Sequence, residues 1–304
     1  MHKKILLTGI NGQVGHALKL KFLQDEVIAL SREQLDLSKV HDIRRIVREV
    51  KPDLIINPAA YTAVDKAETE SELAFAINAT AAQVLAEEAD RLNAGLIHFS
   101  TDYVYDGTKN DAYIESDEVN PVSVYGRSKL AGEDAIRAVC LPHLILRTSW
   151  VYGAYGKNFL KTILRLASER DSLRIVVDQF GAPTSSECIA NAVTQLVDRW
   201  QPNQENQTGI YHLTNAGSTS WHGFSCEIIN AYNCLHEERN WPALKVNFEN
   251  IAAITTADYP TPAARPTNSR LDNTKLKNTF NIELPSWQVG LQQVMQKPYL
   301  YKLT

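Results

Sequence analysis

Four cysteines in 304 residues, none of them in a CxxC unit, are too few and too scattered for a disulfide framework or a cysteine metal knot. Cys140, Cys188, Cys226 and Cys234 therefore read as free thiols of a reducing compartment, the cytoplasm. An excess of positive charge is missing as well. With 31 Lys and Arg against 35 Asp and Glu, the formal net charge is -4. The chain as a whole has no electrostatic reason to bind DNA, RNA or an anionic membrane, although a local basic pocket for a phosphorylated ligand stays open. Long hydrophobic runs are absent too. After Met1-His2-Lys3-Lys4 only a few apolar residues precede glycine, a stretch too short for a signal sequence or a membrane span, which reads as a first strand. No internal repeat or low-complexity segment occurs.

The chain has ample apolar material, 44% of its residues, enough to bury a full core. In the first half, short apolar runs alternate with helical spacing. Lys4–Thr8, Glu26–Leu30, Asp53–Asn57, Leu96–Ser100 and Leu144–Thr148 are expected strands, with helices around 13–22, 39–50, 70–92 and 126–138. Strands apolar at successive positions are covered on both faces, so the pattern predicts an α/β fold: a Rossmann-like, doubly wound parallel sheet. Beyond Trp150 the rhythm loosens. Helices are expected at 157–169, 186–200 and 221–236, with Gly209, Pro242, Pro260, Pro262, Pro266 and Pro285 separating shorter pieces. Residues 1–150 are expected to form the nucleotide-binding domain. Residues 151–304 mainly form a smaller C-terminal substrate-binding lobe, with later strands free to return to the first sheet.

Directly after the first strand stands Gly9-Ile10-Asn11-Gly12-Gln13-Val14-Gly15. Gly9 suits a tight turn, Gly12 the approach of backbone to a pyrophosphate, and Gly15 close contact between helix and sheet. The following helix N-terminus then faces negative charge. A glycine spacing of this kind also serves as a packing device. After the second strand, where a carboxylate would read the ribose of NAD, stand Ser31 and Arg32, donors suited to the extra phosphate of NADP; an exposed cap and a solvated arginine are the alternative. Asp36 and Leu37 are placed to frame the adenine.

Tyr125 and Lys129 lie four residues apart, on one face of a helix. In that arrangement Lys129 hydrogen-bonds a nicotinamide ribose and by its charge favours the tyrosinate, while Tyr125 protonates a new alkoxide. Thr101, ending the fourth strand, is expected to donate to a substrate carbonyl or to Tyr125, and Asp102 to anchor a sugar hydroxyl. A β-branched strand end and a turn-forming aspartate are the plainer readings of those two.

In the order and spacing of its motifs the chain resembles the extended short-chain dehydrogenase/reductases, and within them the dTDP-4-dehydrorhamnose reductase family. The resemblance spans nearly the whole chain. It is carried by Gly9–Gly15, Asn57–Glu68, Ser100–Tyr105, Tyr125–Lys129, Arg147–Tyr152, Asp178–Thr184 and Arg265–Leu271. It implies Tyr125 as proton donor, Lys129 as its cofactor-linked partner and Thr101 as the group that tunes it. Cofactor contacts are implied at Gly12, Gln13, Val14, Asp36, Leu37, Ala59, Ala60 and Tyr61, and substrate contacts at Thr101, Asp102 and Trp150. Trp150 suits an apolar wall for a deoxysugar methyl, with a core aromatic as the alternative. Arg265 and Arg270 are candidates for the nucleotide diphosphate, with ordinary ion pairing as the alternative. The implied substrate is dTDP-4-dehydro-6-deoxy-L-mannose. The implied reductant is NADPH, with NADH as an accepted second, and a homodimer is the candidate assembly.

Two positions depart from relatives. Ser31 stands where some carry an acidic residue. Ala17 stands where some supply a magnesium carboxylate, leaving Glu187 as a lone acid, so an essential magnesium ion is not expected. A reductase or epimerase of another nucleotide sugar, and a non-catalytic regulatory subunit that kept the fold, remain as alternatives. Tyr103 stands where related dehydratases carry a glutamate, and it offers no carboxylate base for removing water.

Overall fold

In the computed structural model, residues 3–22, 25–139, 142–202 and 204–297 are described; Met1, His2 and Cys140 lie outside them. The expected strands form as β1 (Lys4–Leu7), β2 (Glu26–Ala29), β3 (Leu54–Asn57), β4 (Gly95–Thr101) and β5 (His143–Thr148). Every residue of β3, β4 and β5 is buried, which is why they lack the alternation of a half-exposed strand. Alternate side chains enter two cores. Ile5, Leu7, Ile56 and Ile97 pack with Ile189, Val193 and Leu196 of the Ser186–Arg199 helix. Leu6, Ile55, Leu96 and Ile145 pack with Ile43 and Val47 of the Val40–Val50 helix and Leu85 of the Ala81–Arg91 helix. Each such side chain contributes about 1.5–3 kcal/mol when fully buried.

The sheet is parallel throughout and has six strands in the order Gly209–His212, β5, β4, β3, β1, β2. Gly209, expected to break the chain between short pieces, instead opens the sixth strand, pairing Ile210 with Ile145 and Tyr211 with Leu146. The run is only four residues long, too short for its period to stand out. Because β1 is flanked by β2 and β3, winding reverses there, and a crevice opens beyond the carboxyl ends of β1 and β3.

The later helices form as Phe159–Glu169, Ser186–Arg199 and Trp221–Leu235, each begun by a side chain that accepts a backbone N–H: Asn158, Ser185 and Ser220. Tyr152, Leu160, Ile163, Phe224, Ile228 and Trp287 share a separate core in this lobe. Around 70–92 the expected helix is interrupted. Ser71–Phe75 passes into a wide turn at Ala76–Thr80 before Ala81–Arg91 resumes. No helix among the described residues is long and apolar enough to cross a membrane.

Candidate active site

The glycine turn sits at the winding reversal. Gly9 has φ +62°, and a Cβ there would lie 2.8 Å from Ala59 Cα, in the loop after β3. A Cβ on Gly15 would come within 2.2 Å of the Gly9 carbonyl oxygen, so the Gln13–Lys19 helix meets the turn only because both residues lack one. Gly12 is the N-cap of that helix, and no side chain caps it. Its leading N–H groups are thus left for an acceptor, the arrangement that suits a pyrophosphate. The Gln13 amide donates to the Val151 carbonyl at 3.2 Å and ties this helix to the second lobe. These features fit a dinucleotide.

At the far end of β2, Ser31 donates its hydroxyl to Glu33 at 2.5 Å, and Arg32 is exposed beside them. Sequence reasoning passed over Glu33, the carboxylate next to Ser31 and Arg32 in the chain. Asp36 accepts from the Ser38 N–H and hydroxyl, which hold its carboxyl below the usual range, and Leu37 is buried.

Tyr125 stands in the first turn of the Val124–Ala138 helix, capped by Ser123, whose hydroxyl accepts from the Gly126 N–H at 3.1 Å. Glu68 adds a second acceptor, for the Val124 N–H at 2.9 Å. A Cβ on Gly126 would lie 2.2 Å from the Tyr103 carbonyl oxygen, so the helix docks closely on the turn that follows Thr101. Thr101 and Tyr125 are thereby brought into hydrogen-bond contact. The Thr101 hydroxyl also lies 2.9 Å from Asp102 Oδ1, so Tyr125 and Asp102 compete for its single proton.

Burial raises the Tyr125 phenol above its ordinary value, with the Thr101 hydrogen bond pulling it down and the Asp102 charge pushing it up. A neutral phenol is the form a proton donor requires. The expected help from Lys129 is not what the structure displays. Its amine, buried, donates to the Phe99 carbonyl at 2.6 Å and lies 3.2 Å from His98 Nε2, and burial pulls it down to about 8. Asp102, buried and accepting from Ser269 and Thr101, is raised by burial to about 6.

Trp150 is half-buried, stacked on Trp221 with ring centroids 3.5 Å apart and held at φ +48°, a strained backbone for a residue of its size. The donors of Arg265 are taken by Asp65, at 2.8 and 3.0 Å, and by the Ala263 carbonyl. Those of Arg270 go to Asn268 Oδ1 and the Asn110 carbonyl. Arg265 thus makes the ion pair considered as its alternative, while these Arg270 contacts are to neutral acceptors. A separate cleft of about 780 Å³, lined by Glu115, Asp117, Arg137 and Lys275 among others, includes none of the residues expected at the site.

Sequence reasoning also missed Asn78. It lies in the wide turn at Ala76–Thr80, where Oδ1 accepts from Tyr61 N and Nδ2 donates to Tyr61 O and Ser128 Oγ. Ser128 in turn donates to the Tyr125 carbonyl at 2.8 Å. One buried amide therefore couples the Ala59–Tyr61 loop to the tyrosine helix. Tyr61 itself donates its hydroxyl to Glu70 at 2.6 Å.

The family model described as the RmlD substrate binding domain matches residues 3–300. The chain is 45% identical over 294 residues to a dTDP-4-dehydrorhamnose reductase of Burkholderia thailandensis, covering 95% of this chain and 97% of that one. It is 41% identical over 298 residues to the dTDP-4-dehydrorhamnose reductase of Escherichia coli strain K12, at 96% and 97% coverage. Among solved structures, a dTDP-4-dehydrorhamnose reductase from Bacillus anthracis in complex with NADP is similar with a TM-score of 0.87 and 34% identity, over 97% of this chain and 99% of that one.

Proposed function

The chain belongs to the dTDP-4-dehydrorhamnose reductase family, and from that premise we propose that it reduces the C4 carbonyl of dTDP-4-dehydro-6-deoxy-L-mannose with NADPH, giving dTDP-L-rhamnose. The observation that carries this reading is the buried Thr101, Tyr125 and Lys129 group at the carboxyl end of β4, coupled through Asn78 to the loop beside the glycine turn. Gly9, Gly12, Gln13, Val14 and Gly15, with Ala59, Ala60 and Tyr61 alongside, would hold NADPH, whose reduced nicotinamide would supply the hydride. The carbonyl carbon gains that hydride while its oxygen takes the Tyr125 proton, and the double bond becomes a CH–OH. Thr101 keeps the phenol aimed through their hydrogen bond until the substrate oxygen takes the Tyr125 proton. Lys129 links Tyr125 to the cofactor ribose, Asp102 and Trp150 face the sugar, and Arg265 and Arg270 serve the diphosphate.

In this reading residues 1–150 carry NADP(H) and 151–304 mainly the nucleotide sugar, with the Ser186–Arg199 helix and the Gly209–His212 strand returning to the first sheet. The enzyme works in the cytoplasm as a homodimer, an assembly that light scattering checks. The chemistry is tested by incubating the full chain with NADPH and the dTDP-4-dehydro sugar and identifying the product by NMR. Formation of dTDP-L-rhamnose is expected. Tyr125→Phe should lower turnover about 10²–10⁴-fold, the usual contribution of a positioned proton-transfer group, with NADPH affinity nearly unchanged. No dTDP-L-rhamnose from the native chain would reject the substrate, and near-native turnover in the variant would remove Tyr125 from the mechanism.

A further inference from the structure

Three neighbouring elements place a polar side chain in line beneath the site. Thr8, just after β1, donates its hydroxyl to Asn57 Oδ1 at 2.6 Å; Asn57, the last residue of β3, lies 3.1 Å through Nδ2 from His98 Nδ1; and His98, on β4, lies 3.2 Å through Nε2 from Lys129 Nζ. Asn57 and His98 are direct partners in the strand register. All four residues are buried, and Thr8, Asn57 and His98 have no place in the chemistry described so far.

We propose that His98 is a positioning residue for Lys129, the inner end of a buried Thr8–Asn57–His98 line that fixes where the lysine amine sits relative to the cofactor. The proposal rests on the reading of Lys129 as the cofactor-linked partner of Tyr125.

The direction of each bond carries the argument. A hydroxyl donating to Asn57 Oδ1 fixes the amide so that Nδ2 must donate to His98 Nδ1. The imidazole is held neutral by burial, so its proton then lies on Nε2 and points at the Lys129 nitrogen. A neutral amine satisfies that contact by accepting from Nε2–H while giving one of its own hydrogens to the Phe99 carbonyl. Its remaining hydrogen is left for the side of Tyr125 and the cofactor. Burial lowers Lys129 to about 8, so this arrangement belongs to the deprotonated amine above that pH. With a hydrocarbon at position 98, the amine would keep only the Phe99 carbonyl and be free to swing about it.

The test compares His98→Phe in the native chain and in a Lys129→Met background, measuring NADPH affinity by fluorescence titration and folding by thermal denaturation. Phenylalanine keeps the ring volume and removes the polar line. In the native background the dissociation constant for NADPH should rise about tenfold, the scale of one lost buried hydrogen bond. In the Lys129→Met background the same change should move it by less than about twofold, because the residue through which it acts is gone. His98→Gln, which restores a polar atom facing Lys129, should recover most of the loss. An equal effect in both backgrounds, or none in the native one, overturns the proposal and leaves His98 as core filling. Should His98→Phe not fold, Thr8→Val in the same two backgrounds decides the matter, with Thr8→Ser as the rescue. Because the titration needs no sugar, an error in the substrate assignment leaves this test intact.

Discussion

Single side chains decide the nucleotide and the proton balance of the site. Arg32 and Ser31 supply donors at the end of β2, but the Ser31 hydroxyl is engaged by Glu33, so in the proposed binding mode two opposed charges would meet the ribose side of the cofactor. NADPH should bind more tightly than NADH; Arg32→Ala should narrow the difference and Glu33→Gln widen it, as read by titration with the two nucleotides. Equal affinities that ignore both changes would remove this pair from cofactor selection. Asp102 makes a second prediction. Its folded value of about 6 lies above the usual unfolded value of about 4, so the native state holds more protons between those limits and its stability falls as pH rises through them. Asp102→Asn keeps an acceptor for Thr101 without the buried charge. Its melting temperature should exceed that of the native chain above about pH 6, and the gain should vanish below about pH 4.

Between elements, the clearest polar junction joins the Val40–Val50 and Ala81–Arg91 helices. The fully buried Glu88 carboxylate takes Arg44 at 2.7 Å and Arg48 at 2.7 Å on both oxygens, and these bonds, led by Arg48, hold it down to about 2. A depressed carboxyl adds stability above its unfolded value, lost as pH falls toward 2. Glu88→Gln should cost about 1.5 kcal/mol in urea denaturation at pH 7, toward the lower end for a charged hydrogen bond because Arg48 is half exposed, with the difference fading in acid. Elements of this size were legible in the sequence because their signal is repeated: β3 to β5 carry apolar residues at successive positions, and the paired helices carry apolar stripes. The wide turn at Ala76–Thr80 was not legible, since one extra residue per turn leaves composition and period nearly unchanged. The site divides in the same way. Tyr125, Lys129, Thr101 and the glycines stood out by spacing. Asn57 and His98 were visible as polar residues inside apolar strands, a mismatch that asks for a buried partner, but only the strand register reveals that they touch. That Thr101 has Asp102 and Tyr125 competing for its one hydroxyl proton depends on contacts that no spacing encodes.

Across the whole molecule, distant segments close the site. The segment carrying Arg265 is held to Asp65, two hundred residues earlier, and the first helix reaches Val151 through Gln13, so both lobes bear on the crevice at β1 and β3. The same long-range view bears on metal dependence. A hard cation beside the first helix would need several oxygen ligands, yet Ala17 offers none there, and the Glu187 carboxylate across that groove is paired with Lys297 at 3.4 Å. In the proposed reaction the substrate oxygen meets the phenol of Tyr125, whose burial keeps it protonated, so charge developing on that oxygen would be neutralised by a proton. Turnover should therefore persist after dialysis against EDTA, measured as NADPH oxidation with the dTDP-4-dehydro sugar, and the particle size by light scattering should not change. A complete loss of turnover that magnesium restores would show that a cation is needed for the reaction or for the assembly, and a simultaneous change in particle size would assign it to the assembly.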